Sequence, residues 1–217
     1  MEPGLVDILI RSRATILDIL QSRGYDTTAY VNIAPDQLVT LAEGANSRAL
    51  DIFVPRGNPT AACDRAVVVH SLHDRIKQKL DGFVKSLWTS IDGKDSTTIL
   101  QTDDIIVVVN EPWHETFDKV SLNLWQTRRI RCAFFPIKQL VVNPARHVLV
   151  PRHVRLTVEE TDAEMARWHI TSKIQLPQIK MSDIQAKIMG LVPGDVIAVE
   201  RPSQTAGVAR ILRNCSA

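Results

Sequence analysis

The sequence predicts an α/β amino-terminal domain over residues 1–142 and a small α+β domain over residues 143–217. Unbroken apolar runs such as IIVVV (105–109) read as strands buried on both faces, the signature of a helix-covered, largely parallel sheet. Amphipathic segments alternate with those runs, so the first domain reads as three layers around one core. Near Asn143 the pattern changes to short elements punctuated by proline. With 217 residues, 45% hydrophobic and 23% charged, the chain has enough apolar surface to pack both parts.

The opening helix is marked by Val6, Leu9, Ile10, Arg13, Ile16, Leu17 and Leu20 at helical spacing, with Gly24 where a left-handed cap belongs. A polar linker follows, and Pro35 to Leu41 reads as a short helix. LDIFV (50–54), AVVVH (66–70), IIVVVN (105–110) and RCAFFPI (131–137) read as strands. Between them, residues 71–88 form an amphipathic helix with Ser71 as N-cap and Asp74 three residues on, and residues 114–126 form another with Phe117, Val120, Leu124 and Trp125 on one face. Trp88, Trp125 and Trp168 are expected to pack in cores, while the Pro112–Trp113 junction is expected to be exposed.

In the second domain NPARHVLVPRHVRL (143–156) reads as extended, and TVEETDAEMARWH (157–169) as a helix opened by a Thr157–Glu160 capping box. LPQI then leads to a short helix from Ser182 that stops at Gly190. Leu191 to Leu212 reads as strand, turn and strand, with a further turn signal at Pro193–Gly194.

Composition narrows the chemistry. Cys63, Cys132 and Cys215 include no C-x-x-C pair and are too few for a disulfide framework, so a reducing compartment is expected. Asp7, Arg11, Arg13 and Asp18 interrupt the first apolar run, and no apolar stretch approaches the ~20 residues of a membrane span. A soluble intracellular protein without a membrane partner is therefore expected. Residues 1–142 hold 16 Lys and Arg against 17 Asp and Glu, whereas residues 143–217 hold 10 against 7. That is far short of the basic stripe of an autonomous nucleic-acid binder.

No cofactor is expected. The junctions VVVHSLHD and VVVNEPWHE contain no glycine, so the backbone cannot approach a pyrophosphate there. His70 with His73 lacks a third ligand, and His147 with His153 would stand ~20 Å apart in an extended chain at ~3.3 Å per residue, so no metal site is expected. Magnesium nucleases with a P-D…(D/E)-x-K motif share a three-layer core, so Pro35-Asp36 and Asp92-Gly93-Lys94 are candidates, but acid and lysine must share a strand and Asp92-Gly93-Lys94 sits in a polar loop. Ser203 and Thr205 have no following histidine and no nucleophile elbow, so they read as turn residues.

The second domain carries the most specific signal, in HVLVPRHVRLTVEE, QLPQIKMSDIQAKIMGLVPGDVIAVERPSQTAG and the closing LR. These segments resemble the fifth-largest subunit of eukaryotic nuclear RNA polymerases and its shorter archaeal counterpart. The first half agrees more loosely, through RSRATILDILQSRGYD (11–26) and DIIVVVNEP. The archaeal counterpart lacks that half, so its presence implies a eukaryotic or eukaryotic-virus lineage. The family usually has proline at Ile184, glutamate at Gln204 and Arg-Tyr at Val208-Ala209, so the resemblance implies a divergent member.

The resemblance implies a non-catalytic subunit of a DNA-dependent RNA polymerase, located in the nucleus, or in the cytoplasm or virion if virus-encoded. The carboxy-terminal domain would dock on the largest subunit and neighbouring small subunits through His147, Pro151, His153, Leu176, Pro177, Asp183, Gly190, Arg201, Pro202, Ser203, Thr205 and Gly207. The amino-terminal part would form a restriction-endonuclease-like, non-catalytic jaw that makes weak contact with downstream duplex DNA through Asn110, Pro112, Trp113 and His114. A magnesium-dependent nuclease and a free-standing DNA-binding adaptor are the alternatives.

Overall fold

A computed structural model describes residues 3–43, 48–59, 61–72, 76–88 and 98–217. The chain divides into two compact units, Met1–Asn143 and Pro144–Ala217.

The first unit begins with α1 (Pro3–Ser22), α2 (Thr28–Val31) and α3 (Pro35–Glu43). Its sheet comprises β1 (Ile52–Pro55), β2 (Arg65–Ser71), β3 (Asp104–Val109) and β4 (Arg131–Pro136) in that spatial order. β2, β3 and β4 run parallel, and β1 closes the edge antiparallel to β2. Helices α4 (Leu80–Leu87) and α5 (Glu115–Arg128) complete the unit.

The central strands are buried on both faces because both are covered. Val67, Val69, Ile105, Val107 and Val109 pack with Leu80, Leu87, Phe117 and Leu124 of α4 and α5, and the rings of Phe117 and Phe134 stack 5.2 Å apart. The alternate residues of β3 include Asp104, which takes the Arg23 guanidinium just beyond α1. Gly24, at φ 93°, lets the chain turn back after α1 so that its carbonyl accepts from Gly57 and Asn58.

Several local expectations give way to pairing. Ser71 is not an N-cap; it is the last residue of β2, paired with Val109, and its carbonyl accepts from Asn110 N. The helix predicted from 71 is reduced to a 3-10 turn at Ile76–Lys79 followed by α4, while His73 and Asp74 lie outside the described residues. The polar linker contains the single turn α2, where Asp26 accepts from the Thr28 backbone and hydroxyl.

The second unit holds β5 (Arg152–Arg155), α6 (Val158–Arg167), β6 (Gln178–Lys180), α7 (Ile184–Met189), β7 (Val196–Ser203) and β8 (Gly207–Ser216). Its sheet runs β5-β7-β8-β6, with β6 parallel to β8 and the other pairs antiparallel. β7 separates two small cores. Ile197 and Val199 face Ala186, Leu191 and Cys215; Val196 and Ala198 face Leu156, Leu176 and Leu212.

The Thr157–Glu160 capping box opens α6 with both of its reciprocal hydrogen bonds. Asp183, not Ser182, caps α7 by accepting from Gln185 N, and Gly190 ends it at φ 64°. The 143–156 segment is not extended throughout. His147 N donates to Pro144 O and Val150 N to His147 O, so the chain turns there before β5 begins. Trp168 is exposed rather than packed, because it caps the end of α6 beyond the last buried turn; its ring lies under Arg167. No described helix is long and apolar enough to cross a membrane.

Candidate functional site

The second unit leaves much apolar surface in water. Val148 is 92% exposed, Leu149 83%, Ile174 82% and Val208 62%, and Val158 and Trp168 are also mostly uncovered. Single exposed apolar residues are ordinary, and these six stand outside the two cores of the unit.

The far end of the β7–β8 hairpin carries Val208. Pairing continues through Arg201–Ala209, Pro202–Val208 and Ser203–Gly207, three rungs beyond Glu200. Pro202 has no N–H to give, a loss easily borne where the strand has left the core. The turn is built from its own hydroxyl: Ser203 Oγ accepts from Ala206 N at 3.2 Å and lies 3.4 Å from Thr205 Oγ1, and Gly207 supplies φ 69°. Those hydroxyls shape a loop, and no described histidine is bonded to them.

Charge is unevenly disposed along the hairpin. Arg210 pairs with Glu164 at 3.0 Å, and Arg152 with Glu200 at 3.3 Å. Arg201 is exposed and forms no ion pair among the described residues. Its planar fork is therefore available for a carboxylate or backbone carbonyl.

The other residues singled out from sequence fall into distinct places. His147 is exposed, with Nδ1 accepting from Leu149 N, so it orients the turn that displays Val148 and Leu149. His153 Nδ1 lies 2.7 Å from Pro151 O. Pro177 is exposed, and its carbonyl accepts from Asn214 N. Leu176 is only 4% exposed and belongs to the core with Val196 and Ala198, so its side chain is not a contact surface. Asp183 and Gly190 are the two caps of α7.

In the first unit, Asn110, Pro112 and Trp113 are exposed and His114 is half-buried. The junction consumes its own polar groups. His114 Nδ1 accepts from Thr116 N at 3.2 Å and lies 2.6 Å from the Thr116 hydroxyl; Trp113 Nε1 donates to Asp118 Oδ2 at 2.9 Å. With Glu115 and Asp118 in the first turn of α5, this helix start does not attract an anion strongly.

Reactive groups are scarce. Burial pushes the Cys132 and Cys215 thiols up to about 12, with Asp104 and Asp195 respectively adding to the effect, so neither forms a thiolate at neutral pH. Among the described residues no three His, Cys, Asp or Glu side chains converge as a metal ion would require. Asp92 and Lys94 lie outside the described residues, and Asp36 is exposed in the first turn of α3.

Val148, Val158 and Ile174 are surface residues that reading the sequence does not single out. An apolar side chain in a turn between proline and histidine is a readable signal, but it needs the neighbouring core to be seen complete without it.

Comparison with known proteins follows the same division. The family model "RNA polymerase Rpb5, C-terminal domain" matches residues 142–215. A Dictyostelium discoideum protein, "DNA-directed RNA polymerases I, II, and III subunit rpabc1", is 30% identical over 213 residues, covering 97% of this chain and 98% of that one. "DNA-directed RNA polymerase subunit Rpo5" of Pyrococcus abyssi is 50% identical over 66 residues, 30% of this chain and 79% of its own length. The Caenorhabditis elegans protein "DNA-directed RNA polymerases I, II, and III subunit RPABC1" is 44% identical over 69 residues, 32% of each chain. The similarity therefore runs through both units and is densest in the second, and the chain belongs to the Rpb5 family of RNA polymerase subunits.

Proposed function

We propose that this chain is a non-catalytic subunit of a DNA-directed RNA polymerase, held in the enzyme by its second unit. The observation that carries the reading is the full-length similarity to the Dictyostelium subunit, joined to a second unit that leaves Val148, Leu149, Ile174 and Val208 in water. Burying side chains of this kind against a partner releases roughly 25 cal/mol per Å² of apolar surface. The hairpin end adds a small, nearly uncharged loop whose backbone a partner can approach, with Arg201 as its one exposed unpaired cation among the described residues.

The largest polymerase subunit is the partner for this surface, with neighbouring small subunits at its edges, and the assembled enzyme works in the nucleus. Catalysis then belongs to the large subunits. The first unit is a jaw, a three-layer arrangement of endonuclease-like type without the endonuclease's chemistry. It meets downstream duplex DNA only weakly, at Asn110, Pro112, Trp113 and His114. Residues 1–142 carry no excess of cations, so the rest of the enzyme must bring the duplex to it.

Affinity purification of the tagged full chain from its own cells tests the reading. Recovery together with the two largest polymerase chains supports it, and metal-dependent DNA cleavage or tight DNA binding by the chain alone contradicts it.

A further inference from the structure

Helix α1 and the segment from Thr27 through α2 to Leu38 enclose a groove of about 340 Å³, open to solvent along one side. It runs beside α1 from Ile10 to Gln21, and apolar side chains such as Leu17 and Val31 line most of it. Arg13 stands in the middle of that stripe. It is 6% exposed, its Nε is buried without a partner, and it makes no hydrogen bond or ion pair with any described residue. Its one contact of note is the face of Tyr30, whose ring centroid lies 5.6 Å from the guanidinium carbon. Tyr30 is fixed there by its hydroxyl, which donates to Phe53 O and accepts from Phe53 N.

A guanidinium withdrawn from water with no anion against it is unfavourable, and a ring face offsets only part of that cost. Among the described residues no nearby group neutralises it. Burial lowers the pKa of His70 to about 3, with Arg13 opposing its charge further, so the imidazole is neutral. Asp18, on the groove wall, already accepts from Asn143 Nδ2.

We propose that this groove receives a short segment of a partner protein that places one acidic side chain, flanked by apolar ones, on Arg13. The shape favours a peptide over a compact small molecule. Ile10 to Gln21 spans about 16 Å at 1.5 Å per residue, the reach of about five extended residues. Charge fixes the register, because a second acidic group toward Gln21 would meet Asp18. The bidentate geometry of an arginine with a carboxylate supplies the specificity.

The test is selection of a random dodecapeptide library on the intact chain, followed by binding and 15N NMR with the selected peptides. The expected peptides carry one Asp or Glu between apolar residues, move the Arg13 Nε–H resonance, and bind at least tenfold more weakly when that acid becomes Gln or Asn. Binding falls at least tenfold in Arg13→Gln and in Val31→Glu; the exposed Val31 keeps the test valid if loss of Arg13 impairs folding. Selection of peptides without an acid, affinity unchanged in Val31→Glu, or a stationary Arg13 resonance overturns the proposal. So does tighter binding of hexanoate than of any peptide, which would make the groove a small-molecule site.

Discussion

Arg23 Nη1 donates to Asp104 Oδ2 at 2.8 Å with both side chains almost wholly out of solvent, and Tyr25 Oη donates to the same oxygen at 3.1 Å. This cluster ties the turn after α1 to the first residue of the central strand β3. Removing the cation leaves a carboxylate buried beside an apolar sheet. Arg23→Met is therefore expected to lower stability by about 3–5 kcal/mol, measured by urea denaturation, whereas Arg23→Met with Asp104→Leu recovers a substantial part. A loss below about 1 kcal/mol for the single variant would place the pair outside the structural core.

Two buried groups on β2 and beside it give stability a pH signature. The Asp51 carboxyl is pushed up to about 7, chiefly by burial, against the opposing pull of the His70 backbone N–H and Arg48. A raised carboxyl favours the fold when protonated, so its contribution is full below about pH 4 and is lost as pH rises toward 7. His70 is depressed to about 3 by burial, so its contribution is present above about pH 6.5 and is lost as pH falls toward 3. The slopes oppose each other between about pH 4 and 6.5. Asp51→Asn should steepen the gain of stability with rising pH in that window, and His70→Gln should turn it toward a loss, followed by thermal melts at half-unit intervals.

The capping box of α6 makes a local test. Thr157→Ala removes the oxygen that accepts from Glu160 N and is expected to cost about 1 kcal/mol. Gly190→Ala should cost about 1–2 kcal/mol, since it forces a side chain into the left-handed conformation. Chemical denaturation of the full chain reads both, and a neutral Gly190→Ala would mean that the end of α7 is not held as described.

What the sequence made legible is what short-range chemistry decides. The Val and Ile runs of β2 and β3, the Thr157 box and the Gly190 cap each follow from a few adjacent residues. Ser71 shows the limit, because a good capping residue was taken by pairing with Val109 on a distant strand. Pro202 and Ser203 read as loop, yet the opposite strand carries them into the hairpin. Leu176 and Leu149 look alike in sequence, but one fills a core and the other stands in water, a distinction that only the packed unit makes. Arg13 likewise reads as part of an apolar helix face, and its lack of a polar partner among the described residues emerges only once α2 and Tyr30 are in place.

Substitutions at the hairpin end test the proposed docking separately from folding. Arg201→Glu and Val208→Asp change exposed side chains beyond the core, so each should alter stability by no more than about 0.5 kcal/mol. Combined, they are expected to reduce recovery of the largest polymerase subunit with the tagged chain at least tenfold. Equal recovery at equal expression would move the docking surface elsewhere on the second unit.

DNA binding by the chain alone should be weak. Fluorescence anisotropy with a duplex at about 150 mM salt is expected to give a Kd no tighter than about 10⁻⁴ M, the weak end of non-specific binding. A tighter, strongly salt-dependent affinity would favour an autonomous DNA-binding adaptor.

The most direct measurement is the stoichiometry of the native complex. Tagged full-length chain, purified from its own cells and resolved by size, should elute with the two largest RNA polymerase chains at one copy each. Elution as a free chain, with no polymerase subunit in its fractions, would contradict the account.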